Sequence, residues 1–86
     1  MNTHYLDSLV FELEKHMMPI EEWTPEVLAH FPDDVREELE YHVRWEAGEE
    51  KHMPHPTGIG HHEKAGWFCL GTGQGPFVIW MENEVE

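Results

Sequence analysis

Residues 66–81 read GWFCLGTGQGPFVIWM: two apolar runs, GWFCL (66–70) and FVIWM (77–81), joined by the glycine-rich GTGQGP. Short runs rich in aromatic and β-branched residues, separated by turn formers, predict the two strands of an antiparallel hairpin. Side chains alternate across a strand. Trp67 and Cys69 therefore face one side and Phe68 and Leu70 the other, while Phe77, Ile79 and Met81 oppose Val78 and Trp80. Both faces are apolar, so both need a cover. GTGQG (71–75) has the glycine content of a phosphate loop but not its context: no helix follows, no Lys or Arg stands near, and strands flank it. It reads as a turn.

Upstream the periodicity changes to that of helices. In THYLDSLVFELEKHMM (3–18), Leu6, Leu9, Val10, Leu13 and Met17 form one stripe, Thr3 can cap the start and Pro19 ends it. Phe11 and Met18 fall on the opposite side, which suggests cover on two faces or an exposed apolar spot. TPEVLAHF (24–31) opens with a Thr cap and Pro at the first helical position. A third helix is predicted over 33–47, from Pro32-Asp33-Asp34 to a left-handed cap at Gly48. EEKHMPHPTGIGHHEK (49–64), with two Pro, two Gly and four His, reads as a loop.

The expected architecture is a small single α+β domain spanning 1–86, with three short helices packed on one face of a C-terminal antiparallel hairpin at 66–82. The second face and the strand edges would then be free. Phe68, Leu70, Val78 and Trp80 are accordingly candidates for self-association, as a homodimer, unless a helix and the long loop cover that face within one chain.

Eighteen acidic against five basic residues leave a net charge of −13 with His neutral. Such a surface repels phosphate backbones and anionic lipid, so direct nucleic-acid and membrane binding are disfavoured and a basic protein surface is favoured. If all eight His were protonated the charge would be −5, so association with a basic partner should weaken in acid. The chain is 40% hydrophobic with four Trp, too apolar for an acidic disordered tail. It has one Cys, hence no intrachain disulfide, no recognisable signal peptide, and no apolar run near the roughly 20 residues that cross a bilayer. The cytoplasm is the expected compartment.

The charge is uneven: residues 21–50 hold eleven acids and two bases, Arg36 and Arg44. On a helix over 33–47, Val35, Leu39 and Val43 form the buried stripe with His42 beside them. Asp33, Asp34, Glu37, Glu38 and Glu40 cover much of the remainder, with Tyr41 and Trp45 one turn apart among them. Carboxylates along a rod imitate a row of phosphates, and two aromatics would supply the desolvated anchor of an interface. The plainer alternative is a solvated acidic face with Trp45 tucked under the hairpin or the 49–64 loop.

The chain carries His52, His55, His61 and His62 close together, with Cys69 downstream. Imidazole and thiolate are good zinc ligands, but the spacing matches no standard zinc pattern and a metal site is not favoured. One Ser, one mid-strand Cys and no nucleotide fingerprint give no basis for catalysis, and no cofactor is expected. In composition, though not in any motif, the chain is similar in character to inhibitors that phages and mobile elements direct at host nucleic-acid enzymes. The expected function is a non-catalytic acidic protein that occupies a basic, nucleic-acid-binding groove of a protein partner, as an inhibitor or DNA mimic. A small His-rich metal-binding protein and a structural subunit docking through its apolar hairpin are the alternatives.

Overall fold

Both faces of the strand at Gly66–Gly71 are covered by helices of the same chain. The computed structural model describes the backbone of residues 3–84 and the side chains of residues 8–84. The order is α1 (Thr3–Glu14), a short 3-10 turn (Ile20–Glu22), α2 (Pro25–Leu28), α3 (Asp33–Glu46), β1 (Thr57–His62), β2 (Gly66–Gly71) and β3 (Phe77–Met81). The strands form one antiparallel sheet in the order β1-β2-β3. The α+β class is as expected, but the sheet has a third strand and helices on both sides. The Thr3 cap and Leu6 of the first stripe lie outside the described side chains.

On one face, Ile59 and Cys69 are buried with Trp23, Leu28, Phe31 and Leu39, and Trp67 and Trp80 pack around them. On the other, Phe68 and Leu70 are fully buried with Leu9 and Leu13 of α1 and with Ala65. Each fully buried side chain of this kind contributes roughly 1.5–3 kcal/mol of transfer free energy. Phe68 and Leu70, expected at a self-association surface, are thus covered by α1. The chain has enough helix for two faces because α1 is separated from α2 and α3 by the stretch 15–24, which runs past the edge of β1.

That passage explains two departures from expectation. The first helix ends at Glu14 rather than at residue 18. Met17 instead bridges to Gly60, and the Met18 N–H donates to the Ile59 carbonyl at 2.9 Å. β1 itself occupies the second half of the segment read as a loop, and its two glycines are what allow it there. A Cβ on Gly60 would collide with the His16 carbonyl oxygen and lie 2.7 Å from Cζ of Phe68, so the strand accepts α1's exit only without a side chain at this position.

The other departure is at β3. Cys69 pairs with Trp80 but Leu70 pairs with Val78, so Ile79 is an extra residue in a bulge. Strict alternation fails there: Trp80 joins the α2–α3 side and Val78 and Met81 the α1 side. The predicted grouping of Val78 with Trp80 is therefore corrected. Helix α2 is shorter than the predicted 24–31, with the Thr24 hydroxyl accepting from the Val27 N–H as its cap. Helix α3 ends as expected. Gly48 has φ +84°, with its N–H on the Trp45 carbonyl and the Glu49 N–H on the Arg44 carbonyl, the paired bonds of a Schellman cap.

Gly60→Ala is expected to destabilise the chain by about 2–3 kcal/mol, since the colliding atom belongs to backbone that cannot turn aside. Gly48→Ala, with open space around the Cβ, should cost only about 1 kcal/mol from its backbone conformation. Urea denaturation of the two variants checks the order.

Candidate functional site

Helix α3 carries the acidic face because its buried stripe is narrow. Leu39 is fully buried and Val35, His42 and Val43 are half-buried, which leaves Asp33, Asp34, Glu37, Glu38 and Glu40 exposed. Asp33 is paired with Arg36, and Arg44 is paired with Glu50 at 3.0 Å. Among the described residues no basic group lies within ion-pair distance of Glu37, Glu38 or Glu40.

The segment after α3 folds back along this face. The Tyr41 hydroxyl donates to the His52 carbonyl at 2.6 Å, Arg44 stands 5.7 Å from the Tyr41 ring centre, and Pro54 is buried. Between segment and helix lies a cleft of about 590 Å³ lined by Glu37, Glu38, Glu40, Tyr41, Met53 and His55, with Arg44, already paired with Glu50, and Pro54 completing it. Met53 is 69% exposed at its margin.

The predicted binding residues are therefore only partly brought together. Glu37, Glu38, Glu40 and Tyr41 share this cleft, and Asp34 and Glu38 line a neighbouring one. Asp33 is engaged by Arg36. Trp45 is half-buried and edge-on to His42 at 6.0 Å, which in turn meets Trp23 at 5.3 Å. Sequence reasoning missed Met53, Pro54 and His55. The signal available for them was the pair of prolines, which stiffen the chain where it returns along α3.

The four predicted histidines do not converge. His61 packs edge-on against Trp67, on the α2–α3 side, while His62 meets His16 on the α1 side. His52 and His55 belong to the segment beside α3. The one group of possible ligands that does converge among the described residues is Glu12, His16 and His62, with one ligand atom of each within 4.8 Å of the others. The hydrogen bonds of His62 argue against a metal there. Its Nδ1 accepts the backbone N–H groups of Lys64 at 3.1 Å and Ala65 at 3.2 Å, so neutral His62 carries its proton on Nε2. A metal on Nε2 would require that lone pair and would force the proton onto Nδ1, against two N–H donors. His62 is the cap of the β1–β2 turn. Cys69 is also a poor ligand: burial pushes its thiol up from 9.0 to about 12.

The chain matches no known protein family, no curated protein and no solved structure. No helix among the described residues is long and apolar enough to cross a membrane.

His62→Phe keeps the bulk and removes the acceptor, and is expected to cost about 1–3 kcal/mol in urea denaturation by leaving two N–H groups unpaired. Stoichiometric zinc should leave the Tm of the unaltered chain unchanged. Cys69 binds its proton more tightly folded than unfolded, so its contribution to stability is complete below about pH 9 and is lost as pH rises toward 12. Native chain at pH 8 should accordingly resist a thiol-specific disulfide reagent that labels it at once in denaturant.

Proposed function

We propose that this chain is a non-catalytic, cytoplasmic binding protein whose acidic α3 cleft takes the basic surface of a protein partner. The observation that carries the reading is the set of three carboxylates, Glu37, Glu38 and Glu40, exposed and without ion-pair partners on one cleft beside Tyr41 and Met53. Acidic groups that serve only solubility need no cleft and no apolar neighbour. An interface needs both: charge to steer the encounter and set the register, and apolar area to hold the complex.

A partner with a groove of Lys and Arg is the natural complement, and such grooves belong to proteins that hold nucleic acid. Occupying one would exclude the nucleic acid, which makes this chain an inhibitor of the DNA-mimic type. Tyr41 takes part as the wall of the cleft: its O–H is donated to the His52 carbonyl, which fixes the ring and leaves the phenolic oxygen as an acceptor only. Trp45, turned toward His42, serves the fold more than the interface.

Replacing Glu37, Glu38 and Glu40 together by Gln should weaken binding of a ten-residue oligolysine probe by about tenfold or more at low salt and flatten its salt dependence. Changing Glu14, Glu21 and Glu22 to Gln removes the same charge elsewhere and should have a much smaller effect. Equal losses in the two triple variants would mean that net charge alone attracts the probe.

A further inference from the structure

A second cleft, of about 580 Å³, opens between the first turns of α3 and one end of the sheet. Val35 of α3 and Phe77 and Ile79 of β3 form its walls, with Gly71 and the buried Leu39 and Cys69 beneath them. The cleft exists because the two ends of the sheet are filled differently. At one end Trp67 and Trp80 pack against Phe31, with His30 stacked on Trp67 at 4.7 Å. At the other, Thr57 pairs with Gly71 and Gly71 with Phe77, and the Phe77 ring lies over Gly71 in place of a β2 side chain. The bulge in β3 leaves Ile79 43% exposed, and Phe77 is 55% exposed.

Single exposed apolar side chains are ordinary, but two of them lining an apolar cleft form a surface suited to burial. This cleft adjoins the acidic one, since Glu38 and His55 line both. Along α3 the surface thus runs from an apolar half with Asp34 and Glu38 on its rim to a half dominated by Glu37, Glu38 and Glu40. The charge also selects the occupant. A second copy of the chain would bring another −13 to the same face, and phosphate-bearing ligands would meet the same carboxylates.

We propose that the adjoining clefts together receive a basic amphipathic segment of a protein partner. Its apolar side chains enter beside Val35, Phe77 and Ile79, and its Lys or Arg side chains pair with Asp34, Glu37, Glu38 and Glu40. From Asp34 to Arg44 the helix rises about 15 Å, the length of about ten residues of a helical ligand. This inference rests on the acidic-cleft reading and adds to it that sequence pattern, and not charge alone, determines what binds.

Calorimetric titration with three probes of equal charge tests it: a Lys–Leu peptide with Leu at helical spacing, a peptide of the same composition with the Leu stripe scrambled, and oligolysine. The striped peptide should bind at least tenfold tighter than the scrambled one. Phe77→Ser with Ile79→Ser should erase that advantage and leave oligolysine binding unchanged, and Ile79→Ser alone should reduce the advantage if the pair does not fold. Equal affinity for the striped and scrambled peptides, or an advantage that survives these changes, overturns the proposal. In that case oligolysine binding that still depends on Glu37, Glu38 and Glu40 would leave the acidic-cleft reading standing, whereas no binding of any probe would remove both.

Discussion

The central strand β2 presents apolar side chains on both of its faces, and the rest of the architecture answers that constraint. A strand buried on both faces cannot sit at the surface of a two-layer domain. The chain supplies α1 for Phe68 and Leu70, and the α2–α3 pair for Cys69 and its neighbours. The crossing between the two helical layers has to pass the edge of β1, which dictates that Met17 and Met18 lie along the strand and that residue 60 has no side chain. The same passage shields part of an edge that would otherwise offer unpaired backbone groups to other chains.

How far this was readable from the sequence depended on which signals were local. The apolar runs of β2 and β3, the turn between them, the buried stripe Val35–Leu39–Val43 and the Gly48 cap are short-range patterns, and each appears where expected. β1 was not readable. In TGIGHH the two glycines and two histidines dilute the β-branched Thr57 and Ile59, and it is a strand because Ile59 is buried beside Cys69 under the α2–α3 layer while Gly60 accommodates the exit of α1. That the second face needs a cover was legible; that α1 alone supplies it, leaving α2 and α3 for the other, was only one of the alternatives the sequence offered. The bulge at Ile79 is equally invisible in FVIWM, and it moves Val78 and Trp80 to different sides. For the site, the exposed carboxylates follow from helical periodicity alone. The clefts do not, because they depend on the return of residues 50–56 along α3 and on how far the helix stands from Gly71.

The histidines illustrate how composition misleads without geometry. A high His count raised a shared ligand role only as an unfavoured alternative, and the described contacts give several of them separate tasks. His62 caps a turn, His30 and His61 flank Trp67, and His42 links Trp23 to Trp45. The acidic residues show the reverse. Their number alone fits simple solubility, but their distribution around α3 leaves three without partners on a concave surface. Charge that is exposed, unpaired and beside apolar area is available for a partner in a way that scattered charge is not.

The claim that matters most is that a basic partner is received at the α3 clefts and not wherever acid is found. Zero-length carbodiimide coupling, with the striped Lys–Leu peptide as the amine donor and mass spectrometry to locate the bonds, addresses it directly. The account predicts that amide links concentrate at Asp34, Glu37, Glu38 and Glu40. Links spread over the exposed carboxylates of the whole chain, including Glu14, Glu21, Glu22 and Glu63, would contradict it.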